Sequence, residues 1–262
     1  MDTGLKDRVA IVAASSQGIG RATAMAFAAE GAHLALCARN LEALDRVAAE
    51  ARKRHGIQVL TAEVDVAEDD AVRQFASSVE ARFGRIDVCV TNAGGPPAKL
   101  FADTTMAEWD RAYALNLRSV VSFAHAVLPS MQRRKWGRLV TITSITVKQP
   151  VLNLVLSNAI RTGVVGLVRS LAEQFGGDGI TVNNVGPGFT ETDRMKELAA
   201  THAQGSGSSN EEALQAFVKD VPLGRMARPE EVADAIVWLA SERASYITGQ
   251  TLLVDGGAYK GL

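Results

Sequence analysis

The chain has 262 residues, of which 47% are hydrophobic, and its 28 basic and 29 acidic side chains give a formal net charge of −1. This apolar content is typical of a folded globular protein and excludes a disordered chain. The balanced charge argues against a nucleic-acid or anionic-membrane partner, and no run of about 18 apolar residues predicts a membrane span.

The cysteines and the first residues indicate the cellular setting. Cys37 and Cys89 lie in apolar runs, which predicts small core residues rather than a disulfide. The first residues lack the charged and apolar regions of a secretion signal. We therefore expect a cytoplasmic protein. No set of His, Cys, Asp and Glu has the spacing of metal ligands.

Short apolar runs alternate with helical patterns along the chain, which predicts βαβ units and a parallel sheet. In chain order we predict strand 8–14, helix 18–30, strand 32–39, helix 41–54, strand 57–65, helix 68–83, strand 86–94, helix 106–132, strand 137–144, helix 154–176, strand 180–188, helix 229–240 and strand 249–257. The fold class is therefore α/β: a single domain over 1–262 with a doubly wound parallel sheet of the Rossmann type.

An insertion at about 190–220 separates the sixth strand from the last helix. Its segment "HAQGSGSSNEE" at 202–212 fits either a plain surface loop or a mobile lid over a site.

The turn after the first strand contains glycines at the start of a helix. Gly18 and Gly20 lack side chains where the backbone must approach a ligand closely. Such a turn directs backbone N–H groups and the positive end of the helix toward a pyrophosphate. Glycine is common in turns, but its place between a first strand and a helix predicts dinucleotide binding.

The second strand ends in "CARN", with Arg39 and without a carboxylate. An acid at this point would bond the ribose of NAD, whereas an arginine indicates the 2′-phosphate of NADP. We predict NADP(H) rather than NAD(H), the alternative being a solvated arginine.

Three more polar or turn-forming segments follow strands, namely Asp65–Val66, "NAGG" at 92–95 and "PGFTET" at 187–192. Each alone could be turn chemistry. Together they predict a ligand-binding edge, because open α/β sheets bind ligands at the carboxyl ends of their strands.

The chain resembles the short-chain dehydrogenase/reductase family from about residue 6 to residue 259. The resemblance rests on "GIGRA", "DV" at 65–66, "NAG" at 92–94, "LNLRS" at 115–119, "GRLVTITS", "NNVGPG" and "VPLGRMARPEEVADAIVWLASERASYITGQTLLVDGG". The last stretch is similar to the branch that contains 3-oxoacyl carrier-protein reductases. The resemblance implies a nicotinamide cofactor, a small carbonyl or alcohol substrate and commonly a homotetramer.

The resemblance also implies site residues. Asn116 would be the structural asparagine and Ser144 the serine that orients the carbonyl. The cofactor-binding positions would be Ser16, Gln17, Gly18, Ile19, Gly20, Arg39, Asn40, Asp65, Val66, Asn92, Ala93, Gly94, Arg161, Pro187, Gly188, Thr190 and Thr192.

The chain departs from the family pattern at two places. Ala14 stands where the family has the first glycine of its turn. The family's catalytic tyrosine lies thirteen residues beyond the serine, with a lysine four residues later, and these positions are Ser157 and Arg161 here.

These replacements change the acid–base chemistry. A phenol titrates near pH 10 and a nearby cation lowers that pKa, whereas a serine hydroxyl does not take this role. Arginine keeps a positive charge but releases no proton near neutrality. A water at Ser157 could fill the gap, and Lys148, four residues beyond Ser144, could act as an acid if it is partly desolvated; the alternative for Lys148 is a solvated loop lysine.

Three functional hypotheses remain open. The first is an NADP(H)-dependent oxidoreductase with an atypical site formed by Ser144, Asn116, Lys148, Ser157 and Arg161. The second is a catalytically silent NADP(H)-binding sensor or hetero-oligomer partner. The third is catalysis without net redox, as in an epimerase or dehydratase.

Overall fold

Seven strands pair in parallel in one sheet, in the order β3-β2-β1-β4-β5-β6-β7. The computed structural model describes residues 2–207 and 209–262, with the backbone alone at 202 and 204–206. The strands are β1 Val9–Ala13, β2 His33–Ala38, β3 Val59–Glu63, β4 Val88–Thr91, β5 Gly137–Ile142, β6 Ile180–Pro187 and β7 Thr251–Val254. All seven predicted strands are confirmed, and the chain forms the single Rossmann-type α/β domain that the sequence predicts.

Helices cover both faces of the sheet. They are α1 Gly18–Ala29, α2 Leu41–His55, α3 Asp69–Phe83, α4 Met106–Tyr113, α5 Ser119–Arg134, α6 Val155–Phe175, α7 Asp193–Ser206, α8 Asn210–Val218 and α9 Pro229–Ala240. Within the two described ranges, no helix is long and apolar enough to cross a membrane.

Alternate residues of each strand supply the two cores. Val12 of β1 packs in one cluster with Phe27 of α1 and Ile236 of α9. Its neighbour Ile11 points to the other face, where Phe123 of α5 belongs to the second cluster. This alternation follows from the two-residue period of a strand and leaves both faces apolar. Cys37 and Cys89 are buried free thiols of the second cluster, as predicted.

The long helix predicted over 106–132 is divided. A π-helical turn at Ala114–Arg118 separates α4 from α5, and its closing N–H group, that of Ser119, bonds the carbonyl of Ala114 five residues back. The hydrophobic period alone did not predict this extra residue per turn. A π turn widens the helix and is often found at functional sites, and this one carries Asn116.

The insertion contains two helices, α7 and α8, which take up most of the segment 202–212 that the sequence left open as a surface loop or a mobile lid. Ser209 and Glu212 form a capping box that starts α8. Met195 of α7 and Val218 of α8 share a small apolar cluster with Ile145, which follows β5. The insertion is thus packed onto the segment that contains Ser144. Residue 208, within the segment 202–212, lies outside the described residues.

Ala14 adopts a left-handed backbone conformation with φ 48°. This conformation explains why glycine suits the position, since a residue with a side chain is destabilised by about 1–2 kcal/mol in the left-handed conformation. Gly20 lies directly against this turn, because a Cβ there would overlap the carbonyl oxygen of Ala14. The turn therefore holds α1 against the end of β1.

We expect Ala14→Gly to raise the free energy of unfolding by about 0.5–1 kcal/mol, because relief of strain exceeds the added chain entropy of the unfolded state. Gly84→Ala is the matched control with the opposite sign, since Gly84 has φ 70° and a Cβ there would meet nothing within 4 Å. Urea unfolding of both variants measures the two changes. A loss of stability in Ala14→Gly would contradict the strain at this turn.

Candidate active site

The glycine turn after β1 presents an uncapped helix N-terminus. Gln17 is the N-cap of α1, but its side chain makes no capping bond, and the first turn of α1 contains no acidic residue. The first N–H groups of α1 therefore have no competing side-chain acceptor from the cap. Gln17 is exposed, Ser16 and Ile19 are half-buried, and Gly20 is buried against the turn.

The segment after β6 crosses to the glycine turn. A Cβ on Gly18 would lie 3.3 Å from the Cγ2 of Thr192, so the two predicted cofactor positions meet. Thr192 Oγ1 donates to the Thr190 carbonyl at 3.3 Å, which holds this segment in a tight turn. Pro187 ends β6, and Gly188 packs on the backbone of Asp255.

At the end of β2, Arg39 is exposed and forms no ion pair within the part of the chain that the structure describes. Asn40 caps α2, where its side-chain oxygen accepts from Ala43 N at 2.9 Å. The guanidinium of Arg39 is therefore open to solvent at this edge, and no carboxylate of the described residues lies within ion-pair distance of it.

Asp65, after β3, is held by two donors. Its Oδ2 accepts from Arg111 Nη2 at 2.9 Å and its Oδ1 from Ala67 N at 3.0 Å. Burial acts to raise the pKa of Asp65, but these hydrogen bonds and the charges of Arg111 and Arg39 outweigh it, so the pKa lies below its usual value. Sequence reasoning missed Arg111, whose position on α4 relative to Asp65 depends on tertiary packing.

The neighbouring strand ends complete this side of the edge. Val66, which follows Asp65 in the chain, is buried. Asn92, Ala93 and Gly94 follow β4, with Asn92 and Ala93 half-buried and Gly94 exposed.

A second group of side chains lies after β5. Ser144 caps a short 3-10 turn, and its Oγ accepts from Thr146 N at 3.2 Å. The Thr146 hydroxyl lies 3.1 Å from Ser157 Oγ on α6, and both side chains are buried. Thr146 thus links the two serines. No motif signalled Thr146 in the sequence, because threonine after a strand is common.

Arg161 lies one turn beyond Ser157 on α6 and is buried, with 7% of its surface exposed. Its Nη1 donates to the carbonyl oxygens of Ile142 at 3.2 Å and Thr143 at 3.1 Å, at the end of β5. Burial, and next the charge of Arg194, lowers the pKa of Arg161 to about 10. The guanidinium is therefore still charged at neutral pH.

Two other predicted site residues differ in their surroundings. Asn116 is buried in the π turn, where its Nδ2 donates to Ala112 O at 3.3 Å and its Oδ1 has no partner among the described residues. Lys148 is exposed. This exposure does not supply the desolvation that its proposed role as an acid requires.

Arg194, which sequence reasoning missed, extends from α7 over the edge. Its Nη2 donates to the Pro96 carbonyl at 2.6 Å, after β4. This bond ties the insertion to the loop behind Asn92. Only the fold of the insertion brings Arg194 here, so no sequence spacing predicts it. Among residues 2–207 and 209–262, no group of three or more His, Cys, Asp and Glu could hold a metal ion.

Comparisons with known proteins find relatives that match nearly the whole chain. The family model described as enoyl-(acyl carrier protein) reductase matches residues 13–259. A 3-oxoacyl-[acyl-carrier-protein] reductase of Synechocystis is 36% identical over 257 residues, which cover 97% of this chain and 98% of the relative. Nodulation protein G of Azospirillum brasilense is 32% identical over 254 residues, covering 97% and 98%. The crystal structure of L-sorbose reductase from Gluconobacter frateurii, complexed with NADPH and L-sorbose, superposes with a TM-score of 0.95 at 33% identity and covers 100% of both chains.

The Asp65–Arg111 pair gives a pH-dependent prediction. A double-mutant cycle with Asp65→Asn and Arg111→Met should yield a coupling of about 0.2–1 kcal/mol at pH 7. Because folding lowers the pKa of Asp65, this stability is present above the ordinary aspartate pKa of about 3.9 and is lost as the pH falls through the lower folded value. Urea unfolding between pH 7 and pH 3 measures it, and a coupling that grows on acidification would contradict the pairing.

Proposed function

Because the chain belongs to the short-chain dehydrogenase/reductase family, we propose that it is an NADPH-dependent reductase of a small carbonyl compound. The observation that carries the proposal is the cluster of Ser144, Thr146, Ser157 and Arg161 after β5, on the same sheet edge as the uncapped glycine turn after β1. One group of residues suits a dinucleotide, and the other suits a polarised carbonyl.

The residues fit NADPH. The N–H groups at the start of α1 suit a pyrophosphate, because the cap residue offers them no side-chain acceptor. Gly20 contributes indirectly, since its missing Cβ lets α1 pack against the Ala14 carbonyl. Arg39, which has no ion-pair partner among the described residues, suits a 2′-phosphate. When bound, NADPH supplies a hydride, so that carbonyl, NADPH and one proton give the alcohol and NADP⁺.

The chain's own groups would handle the carbonyl oxygen and the proton. Ser144 would donate a hydrogen bond to the carbonyl oxygen, and the charge of Arg161 would stabilise the negative charge that develops there. Ser157, oriented by Thr146, would hold a water that delivers the proton in place of the family's tyrosine. We favour this water over Lys148, because Lys148 is exposed.

The proposal includes the insertion as a lid. Arg194 joins α7 to Pro96 across the edge, and Thr192 lies where a Cβ on Gly18 would come within 3.3 Å of it, so the segment after β6 would cover the site. The homotetramer and the cytoplasmic location stay predictions from the sequence.

The rival is a protein that binds NADP(H) without turnover. It is motivated by the replacement of both members of the family's catalytic pair, at Ser157 and Arg161. General acid–base catalysis contributes about 10²–10⁴ in rate, whereas positioning of the reactants contributes at least as much. Loss of the tyrosine therefore predicts a slow enzyme before it predicts an inert one. Activity gained in a Ser157→Tyr, Arg161→Lys variant would show an otherwise intact site.

Cofactor titration tests the first part of the proposal. We expect at least tenfold tighter binding of NADPH than of NADH, and a loss of about 10–100-fold for NADPH alone in Arg39→Ala, because a charge-assisted contact contributes about 1.5–3 kcal/mol. Arg46→Ala is the matched control, since Arg46 is an exposed arginine paired with Glu42 on α2. Nicotinamide fluorescence gives the affinities. No binding of either cofactor would overturn both the reductase and the silent binder.

Steady-state kinetics with a carbonyl panel test the proton donor. We expect Ser157→Ala to lower kcat about 10–100-fold with an NADPH affinity within twofold of wild type, and Lys148→Ala to lower it less than threefold. The reverse pattern would return the acid role to Lys148. Tight NADPH binding without turnover of any carbonyl would favour the silent binder.

A further inference from the structure

The segment that follows β7 packs against the end of the insertion. Asp255 holds this segment in a tight turn, because its Oδ1 accepts from Gly257 N at 3.0 Å and its Oδ2 accepts from Tyr259 N at 2.8 Å. A Cβ on Gly257 would lie 2.9 Å from the Cγ of Pro222, so the turn lies directly against the chain that follows α8. The turn therefore directs the next residues toward the insertion.

Apolar packing joins the same segment to the turn that contains Ser144. Ala258 is buried in the small cluster that also contains Ile145, the residue after Ser144, and Val218 at the end of α8. Tyr259 packs against this cluster. Residues that follow β5 and β7 thus share one apolar cluster with the insertion, next to Ser144 in the chain.

Lys260 makes hydrogen bonds to two different elements. Its backbone N–H donates to Gln149 Oε1 at 3.1 Å, in the loop after β5. Its Nζ donates to the carbonyl oxygen of Asp220 at 2.8 Å, two residues after the end of α8. Gln149 is half-buried, whereas Lys260 is exposed. One residue therefore links the loop after β5 to the end of the insertion.

Gln149 belongs to the same short turn as Ser144. Its N–H group donates to the carbonyl oxygen of Ile145 at 3.0 Å, which closes the turn. Thr146, inside the turn, contacts both serines: its N–H donates to Ser144 Oγ at 3.2 Å, and its hydroxyl lies 3.1 Å from Ser157 Oγ. A partner that fixes Gln149 therefore also restricts the turn that orients the two serine hydroxyls.

We propose that Lys260 couples the insertion to the turn of Ser144, and that Lys260 and Gln149 are positioning residues for the reduction. This inference rests on the proposed reductase function. The bond to Gln149 would fix the serine hydroxyls relative to the carbonyl, so it would act on the chemical step. The bond to the Asp220 carbonyl would hold the insertion over the site, so it would act on substrate binding.

Two substitutions of Gln149 test its part. Gln149→Met removes the acceptor and keeps the length of the side chain, whereas Gln149→Glu keeps an acceptor. Because a misplacement of about 1 Å can cost about 10²-fold in rate, we expect Gln149→Met to lower kcat about 5–30-fold. The KM of the carbonyl and the affinity for NADPH should stay within threefold of wild type. Gln149→Glu should retain at least half of the wild-type kcat.

Lys260→Met tests the other part, because it removes the bond to Asp220 and keeps the backbone bond to Gln149. We expect it to raise the KM of the carbonyl about 3–10-fold, the range that the loss of one hydrogen bond produces, and to change kcat less than threefold. If Lys260 couples the two elements, the Gln149→Met, Lys260→Met double variant should lose less kcat/KM than the product of the two single losses.

Amide hydrogen exchange on the full chain tests the contacts without turnover. Gln149→Met should speed exchange over residues 145–149 at least threefold, and Lys260→Met should do so over residues 218–221. Two controls should change neither exchange at these segments nor kinetics. Gln58→Met removes the acceptor of Arg82 Nη2, 2.7 Å away, before β3 at the other edge of the sheet. Lys219→Met replaces an exposed lysine directly before Asp220.

The outcomes separate this inference from the reductase function. Unchanged exchange over 145–149 in Gln149→Met would overturn the coupling, whatever the activity. Faster exchange with an unchanged kcat, in a protein that reduces carbonyls, would overturn the positioning role. Equal losses of kcat in Gln149→Met and Gln58→Met would overturn it too, because they would indicate general destabilisation. Faster exchange in both segments of a protein that reduces no carbonyl would support the link and count against the reductase function.

Discussion

The parallel pairing of β1, β4, β5 and β6 is the constraint on which the site depends. Parallel strands end at the same edge of the sheet, so residues that are far apart in the sequence become neighbours there. The glycine turn, the loop after β4, the hydroxyl cluster after β5 and the segment after β6 occupy this edge in spatial order. The helices on both faces bury the strands. The connections at this edge lie outside that buried core, so their sequences can vary without changing the sheet.

The sequence predicted the parts of the molecule that depend on local pattern. Continuous apolar runs located all seven strands. The resemblance to the family singled out Ser144, Ser157 and Arg161, which the fold brings into one region. Contacts that depend on packing escaped it. Thr146 is significant only because α6 places Ser157 beside it, and Arg194 only because α7 crosses the edge. The sequence also carried no periodic signal for the π turn.

In the proposed reductase, the pair at Ser157 and Arg161 would act differently from a tyrosine and a lysine. A phenol beside a lysine acts as a general acid, which donates and takes up a proton. This catalysis is efficient only when the pKa of the phenol is close to the working pH. A buried guanidinium fixed on two backbone carbonyls holds a charge that hardly varies near neutrality. Under the proposed function, the site would therefore rely on a constant positive charge, and the proton would come through water.

The π turn between α4 and α5 sets the phase of two helices. Before the π turn, Arg111 of α4 donates a hydrogen bond to Asp65. After it, Ser122 Oγ of α5 donates to Asp69 at 2.6 Å, so both helices contact the segment that follows β3. Each residue of an α-helix turns the chain by about 100°. Deleting one residue of Ala114–Arg118 would restore an unbroken α-helix and would swing α4 around its axis relative to α5. The single extra residue therefore sets the rotation of α4 relative to α5, and this rotation lets Arg111, Asn116 and Ser122 each reach a different partner.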